Sequence, residues 1–163
     1  MDNTIKLLRP CGIEFPDGKQ FAEWGPLWGY HFDAEGNWVR GQAEHLGEMM
    51  GQHGGLDIKC PTGTPLISPS DGKILVAGWQ DPTNPKKGYG IHVLIELPDP
   101  AGWILTGGHF STLFMIGGDS VKRGEPVGVS GETGNVDGPH SHWQLEKPGQ
   151  YPRMPFNFEW VNS

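Results

Sequence analysis

Seven histidines stand among 163 residues, and three of the segments that carry them could do chemistry. The first is His53-Gly54-Gly55-Leu56-Asp57, an HxxxD pattern. On a helix its i,i+4 spacing would put imidazole and carboxylate on one face, but two adjacent glycines disfavour a helix. We read a loop entering a strand, where glycine backbone lets the two side chains converge. Taken alone the pattern describes a metal pair, a solvated loop or a His–Asp hydrogen bond. The second segment is His140-Ser141-His142-Trp143-Gln144-Leu145-Glu146. In a strand, side chains alternate faces, so His140, His142, Gln144 and Glu146 share one side while Ser141, Trp143 and Leu145 can enter a core. Two imidazoles would then project together into a groove, one able to bind a metal and the other to reach its water. An exposed polar sheet face is the alternative. The third segment, Gly107-Gly108-His109-Phe110, follows an apolar strand, and its histidine draws weight from the other two.

A hydrolytic zinc site needs three protein ligands, an open position for water, and groups that move a proton and stabilise an oxyanion. HxxxD with one histidine of HxH would supply the ligands, and His109 with the other histidine the second set. The chain has no HExxH, so no glutamate is placed as base and histidine must serve.

The elements that position these residues are short apolar runs between turn signals from residue 53 onward: Ile74 to Ala77, Ile91 to Leu97, Trp103 to Leu105, Val127 to Val129 and His140 to Glu146. Asp71-Gly72 and Gly117-Gly118-Asp119 read as tight turns, and Asp81 to Gly88 as a longer loop. Gly63-Thr64-Pro65-Leu66 and Gly124-Glu125-Pro126-Val127 each open a short strand alike, a hint of duplicated β units. Residues 1–52 read as an irregular extension anchored by Trp24, Trp28 and Trp38, with one or two helical turns over Gln42 to Met50 limited by Gly41, Gly47 and Gly51. The expected domains are therefore 1–52 and 53–163.

Glycine (26) and proline (15) make up about a quarter of the chain, yet they are scattered among seven Trp, seven Phe and three Tyr, which argues for a turn-rich folded domain over disorder. Twelve basic against 19 acidic residues give a net charge of −7 with no basic run, which disfavours nucleic acid as a partner and leaves recognition to local contacts. Cys11 and Cys60 form no CxxC pair, and two unlinked thiols are preferred over one disulfide. The N-terminal stretch does not read as a signal peptide, and nowhere do ~18 apolar residues run together to span a membrane.

From His53-Gly54-Gly55-Leu56-Asp57, through Pro61 to Leu66, Asp71-Gly72-Lys73-Ile74, Gly88-Tyr89-Gly90, Gly107-Gly108-His109-Phe110-Ser111 and Val127 to Gly131, the chain resembles the lysostaphin-type (LytM-type) zinc endopeptidases, which act on peptidoglycan peptides. The likeness runs to about residue 150. Its most specific stretch is Thr133-Gly134, then Gly138-Pro139-His140-Ser141-His142-Trp143. The resemblance implies a compact, mainly antiparallel all-β domain, sandwich- or barrel-like with duplicated hairpins and a groove. It implies one Zn2+ held by His53, Asp57 and His142, and makes His109 and His140 the pair that activates water and stabilises the tetrahedral intermediate. We assign the base to His140 and the oxyanion donor to His109; the roles are exchangeable. Two departures stand out. Gly107-Gly108 replaces an aromatic and a small residue, which would remove a side chain from the groove wall, and Trp143 replaces the usual Phe.

Outside this set, His31 and His45 are read as surface residues, His92 is not assigned to the groove, and Gln144 and Glu146 are read as a solvated strand face. The leading function is a zinc endopeptidase acting on peptidoglycan peptides as a monomer. The competitors are a non-catalytic wall-binding or hydrolase-regulating relative, and a histidine phosphocarrier, which would leave Asp57 and one histidine of HxH unexplained. A wall substrate without a visible signal implies a phage lysin, holin-released or virion-associated, or a chain lacking its signal.

Overall fold

The computed structural model describes residues 5–11, 23–25, 30–32, 38–40, 44–45, 48–49, 56–136, 138–146, 148, 155–156 and 158–161. Among them there are strands and no helix. In chain order the strands are β1 (Ile5–Leu8), β2 (Glu23–Gly25), β3 (Tyr30–Phe32), β4 (Trp38–Arg40), β5 (Glu44–His45), β6 (Glu48–Met49), β7 (Leu56–Lys59) and β8 (Pro65–Ile67). They continue with β9 (Gly72–Trp79), β10 (Ile91–Pro98), β11 (Ala101–Leu113), β12 (Ser120–Val121), β13 (Pro126–Ser130), β14 (His140–Glu146), β15 (Pro155–Phe156) and β16 (Phe158–Val161).

The main sheet runs β12-β9-β10-β11-β14-β7-β2, with β13 joining β11 to β8 and β15 added to β14. Its pairings are antiparallel, so the expected all-β antiparallel class holds. The β units that Pro65 and Pro126 open are β8 and β13, and they pair with each other. Asp71-Gly72, expected as a turn, instead leads straight into β9, because Gly72 lies against Ile95 and the Glu96 carbonyl with no room for a side chain.

Alternation sets the core. Along β10, Val93, Ile95 and Leu97 are buried in the apolar cluster, with His92, Leu94 and Glu96 at the intervening positions. Trp143, Phe110, Ile58, Leu66, Ile74 and Leu105 complete its centre. The thirteen-residue β11 shapes the whole: Ile104 to Gly108 pair with β14, whereas Phe110, Thr112 and Leu113 pair with β13. Where the partner changes, two residues of β11, Gly108 and His109, stand opposite His92 alone, a β-bulge of the kind that bends a strand and re-aims a side chain.

The N-terminal segment joins this body. β1 pairs in parallel with β16, the Leu8 N–H donates to the Pro69 carbonyl, the Ile67 N–H donates to the Pro10 carbonyl, and Leu7 and Cys11 lie in the core. Cys11 and Cys60 are buried thiols with no disulfide between them, and the hydrogen bond from Cys11 holds the Cys60 thiol below its usual range. Of the stretch 42–50, where helical turns were expected, the described residues are strand: β5 and β6 pair as a short antiparallel ladder, Glu44 with Met49 and His45 with Glu48. Gly41, Gly47 and Gly51, three glycines in eleven positions, cost a helix about 1 kcal/mol each relative to alanine.

Gly107 does not thin the groove wall. It is the register partner of Trp143, and a Cβ there would lie 2.7 Å from two carbons of the indole ring. The missing side chain is the space the larger aromatic occupies, with the indole edge-on to Phe110 and its N–H donated to Ser141. Gly107→Ala should therefore lower unfolding stability by ~1–3 kcal/mol in urea denaturation, the usual cost of overpacking. Trp143→Phe in the same chain should recover most of that loss; strict additivity of the two substitutions would refute the steric link.

Candidate active site

Period-two alternation along β14 puts His140 and His142 on one side of the strand, as their spacing suggested, and both are buried. The β14–β7 register sets Asp57 directly across from His142, which places directly opposed residues on the same sheet face. From the other side, β11 pairs Gly108 with His142, and the bulge then delivers His109. Its backbone φ is 62°, the left-handed region, where a non-glycine residue costs about 1–3 kcal/mol and marks a site held by its surroundings. The His109 N–H is satisfied by the Tyr89 carbonyl at 2.7 Å. As a result the His109 ring lies 4.7 Å from that of His140 and 6.0 Å from that of His142, centroid to centroid, at 60° and 65°.

Hydrogen bonds fix which ring nitrogens carry protons, because a carbonyl oxygen only accepts. His109 Nδ1 donates to the Thr133 carbonyl at 2.7 Å and His140 Nδ1 to the Gly138 carbonyl at 3.0 Å. In their neutral forms both rings thus hold a lone pair on Nε2. His142 is reversed: its Nε2 faces Gln144 Oε1 at 2.9 Å, so Nε2 carries the proton and Nδ1 the lone pair. Three neighbouring imidazoles therefore present one Nδ1 and two Nε2 acceptors, a set suited to one metal-binding and two proton-handling groups. Among the described residues no three His, Cys, Asp or Glu side chains form a metal cluster. His53 lies outside them, and Asp57 is described in its backbone alone.

Residues 51–154 match the family described as Peptidase family M23. The chain belongs to that family. It is 38% identical over 91 residues to the cell division protein DipM of Caulobacter vibrioides, covering 56% of this chain and 14% of DipM. It is also 38% identical over 99 residues to the glycyl-glycine endopeptidase ALE-1 of Staphylococcus capitis, covering 61% of this chain and 26% of ALE-1. The chain thus spans about a quarter or less of the length of these two relatives. In structure it is similar to the catalytic domain of the antimicrobial peptidase lysostaphin from Staphylococcus simulans, with a TM-score of 0.63 and 27% identity over 84% of this chain and 88% of that domain. The curled antiparallel sheet is the M23 fold.

Around the three histidines lie residues that sequence reasoning left out. Gln144 and Glu146, read as a solvated face, are buried: Gln144 Nε2 donates to Glu146 Oε1 at 2.6 Å while its Oε1 accepts from His142 and from the Tyr89 hydroxyl at 2.9 Å. Their period-two continuation of His140 and His142 was the available signal. Tyr89 stacks on His142 at 5.6 Å and on His92 at 6.0 Å, and its ring covers Gly108, where an added Cβ would lie 3.3 Å from Tyr89 Cβ and Cδ1. His92 is buried with Nδ1 on the Gly78 carbonyl at 2.8 Å. Thr133 gave no signal of its own beyond its place in the motif. Its hydroxyl accepts from the Ile91 N–H and donates to the Phe110 carbonyl, which holds its own carbonyl against His109.

Thr133→Val removes both hydroxyl hydrogen bonds while keeping the branched shape. It should loosen His109 and cut turnover by about 10-fold, the scale of a misoriented acid–base group. Equilibrium zinc binding should be unchanged, and a parallel loss of bound zinc would show that Thr133 acts on the whole site instead.

Proposed function

We propose that this chain is a zinc-dependent endopeptidase that hydrolyses peptide bonds of bacterial peptidoglycan, outside the cytoplasmic membrane, with residues 53–163 as the catalytic unit and 1–52 as an extension. The carrying observation is the tautomer set: His142 offers Nδ1, and His109 and His140 offer Nε2, within adjoining rings. Membership of Peptidase family M23 and likeness to a glycyl-glycine endopeptidase support the reaction class.

His53, Asp57 and His142 would hold Zn2+. The donor set fits: an imidazole lone pair on His142, a carboxylate residue directly across the ladder, and a second imidazole four residues before it. Bound there, zinc supplies a Lewis acid for the scissile carbonyl and lowers the pKa of a water toward neutrality. His140 takes the proton of the attacking water at Nε2 and passes it to the leaving amine, with Nδ1 kept on the Gly138 carbonyl so that the ring does not turn. His109 stabilises the developing oxyanion from Nε2; because its Nδ1 proton is committed to Thr133, it donates there only as imidazolium. The two roles are exchangeable, since both rings keep Nδ1 on a backbone carbonyl and the lone pair on Nε2. The alternative of a non-catalytic relative is disfavoured by the presence of all five residues.

Purified chain should contain about one zinc per molecule, and chelation should abolish lysis of wall suspensions until zinc is returned. His140→Ala should keep the metal but lose at least ~100-fold in wall-turbidity rate, whereas His142→Ala should lose the metal itself. Zinc content below about half an equivalent, or lysis indifferent to His140→Ala, refutes the peptidase reading.

A further inference from the structure

The side of His142 opposite its lone pair is built with more hydrogen bonds than packing requires. We propose that Tyr89 and Gln144 are positioning residues that fix the tautomer and ring plane of His142 as a zinc ligand; this rests on the zinc reading above. Gln144 Oε1 accepts two hydrogen bonds, from His142 Nε2 and from the Tyr89 hydroxyl, both at 2.9 Å. An amide could present either end to histidine, and the wrong end would force the proton onto Nδ1. Glu146 prevents this: its carboxylate oxygen accepts from Gln144 Nε2 at 2.6 Å, so the oxygen end faces His142. Tyr89 fixes the second coordinate. Its ring lies stacked at 27° on the His142 ring, over a position in β11 that Gly108 leaves empty. The hydroxyl of that same ring closes the triangle on Gln144.

Partners that orient a ligating histidine through its other ring nitrogen are worth roughly 10–100-fold in metal affinity. In the full 163-residue chain, Gln144→Leu should therefore weaken zinc binding by ~10–100-fold in chelator competition. Tyr89→Phe, which keeps the stack and loses the hydroxyl, should weaken it by ~3-fold. The exchange of Gln144→Glu with Glu146→Gln keeps an acceptor toward His142 and a hydrogen bond between the two positions, and should restore affinity to within about 3-fold of wild type. In metal-free protein, imidazole 15N shifts should show His142 protonated on Nε2 in wild type and in the exchanged pair, and mixed in Gln144→Leu. A structural role alone would move the melting temperature and leave the tautomer in place. Zinc affinity of Gln144→Leu within twofold of wild type, or an Nδ1-protonated His142 in metal-free wild type, overturns the inference while leaving the peptidase reading standing. Wild-type protein that takes up no zinc overturns both.

Discussion

His109 is held at a backbone φ of 62°, and the bend it makes in β11 lets one strand serve two ladders, pairing with β14 before the bend and β13 after it. Were β11 straight, His109 would continue the alternation set by Gly107 and Gly108. The bulge instead sends its ring toward His140. The strained conformation is held from several sides at once: its N–H is bonded to Tyr89, its Nδ1 to Thr133, and the next residue, Phe110, is locked in the core with its carbonyl bonded to the Thr133 hydroxyl. Strain of this kind persists where the surroundings overdetermine it, and it serves here to aim one side chain.

Two loops supply those restraints, and they can do so because they touch backbone to backbone. Gly90 and Gly134, both with positive φ, approach so closely that a Cβ on either would strike the main chain of the other. The Asn135 N–H donates to the Gly88 carbonyl and the Gly134 N–H to the Pro85 carbonyl, joining the segment that carries Thr133 to the one that carries Tyr89. Glycine is thus used where loops must meet without side chains between them. The adjacent pair in β11 works on opposite faces: Gly107 makes room for Trp143 in the core, and Gly108 for Tyr89 beside His142.

The resulting site is arranged in layers. The three histidines come first, and each is oriented by an acceptor behind it: a backbone carbonyl for His109 and His140, and the Gln144 amide for His142. Buried polar groups of this sort cost free energy unless paired, so each hydrogen bond both satisfies a donor and removes a rotamer choice. The surface adds little long-range steering toward a polyanion, given a net charge of −7, which leaves recognition to the groove itself.

The amino-acid sequence determined the class of structure and the chemical types at its centre. Alternation along His140 to Glu146 and Ile91 to Leu97 marks strands and their two faces, because a strand's side-chain period is a local property. The HxH spacing likewise put two imidazoles on one side without reference to any other segment. What lay beyond it was the orientation of those groups. Gln144 and Glu146 read as solvated because nothing local says that the strand is covered on both faces, and the helical turns over 42–50 were overruled by a strand pairing. Tyr89, Thr133 and the left-handed turn at His109 depend on loops distant in sequence meeting across glycine, a contact between segments that no single segment encodes. Residue type set what chemistry was available; long-range packing decided which nitrogen of each histidine keeps its lone pair.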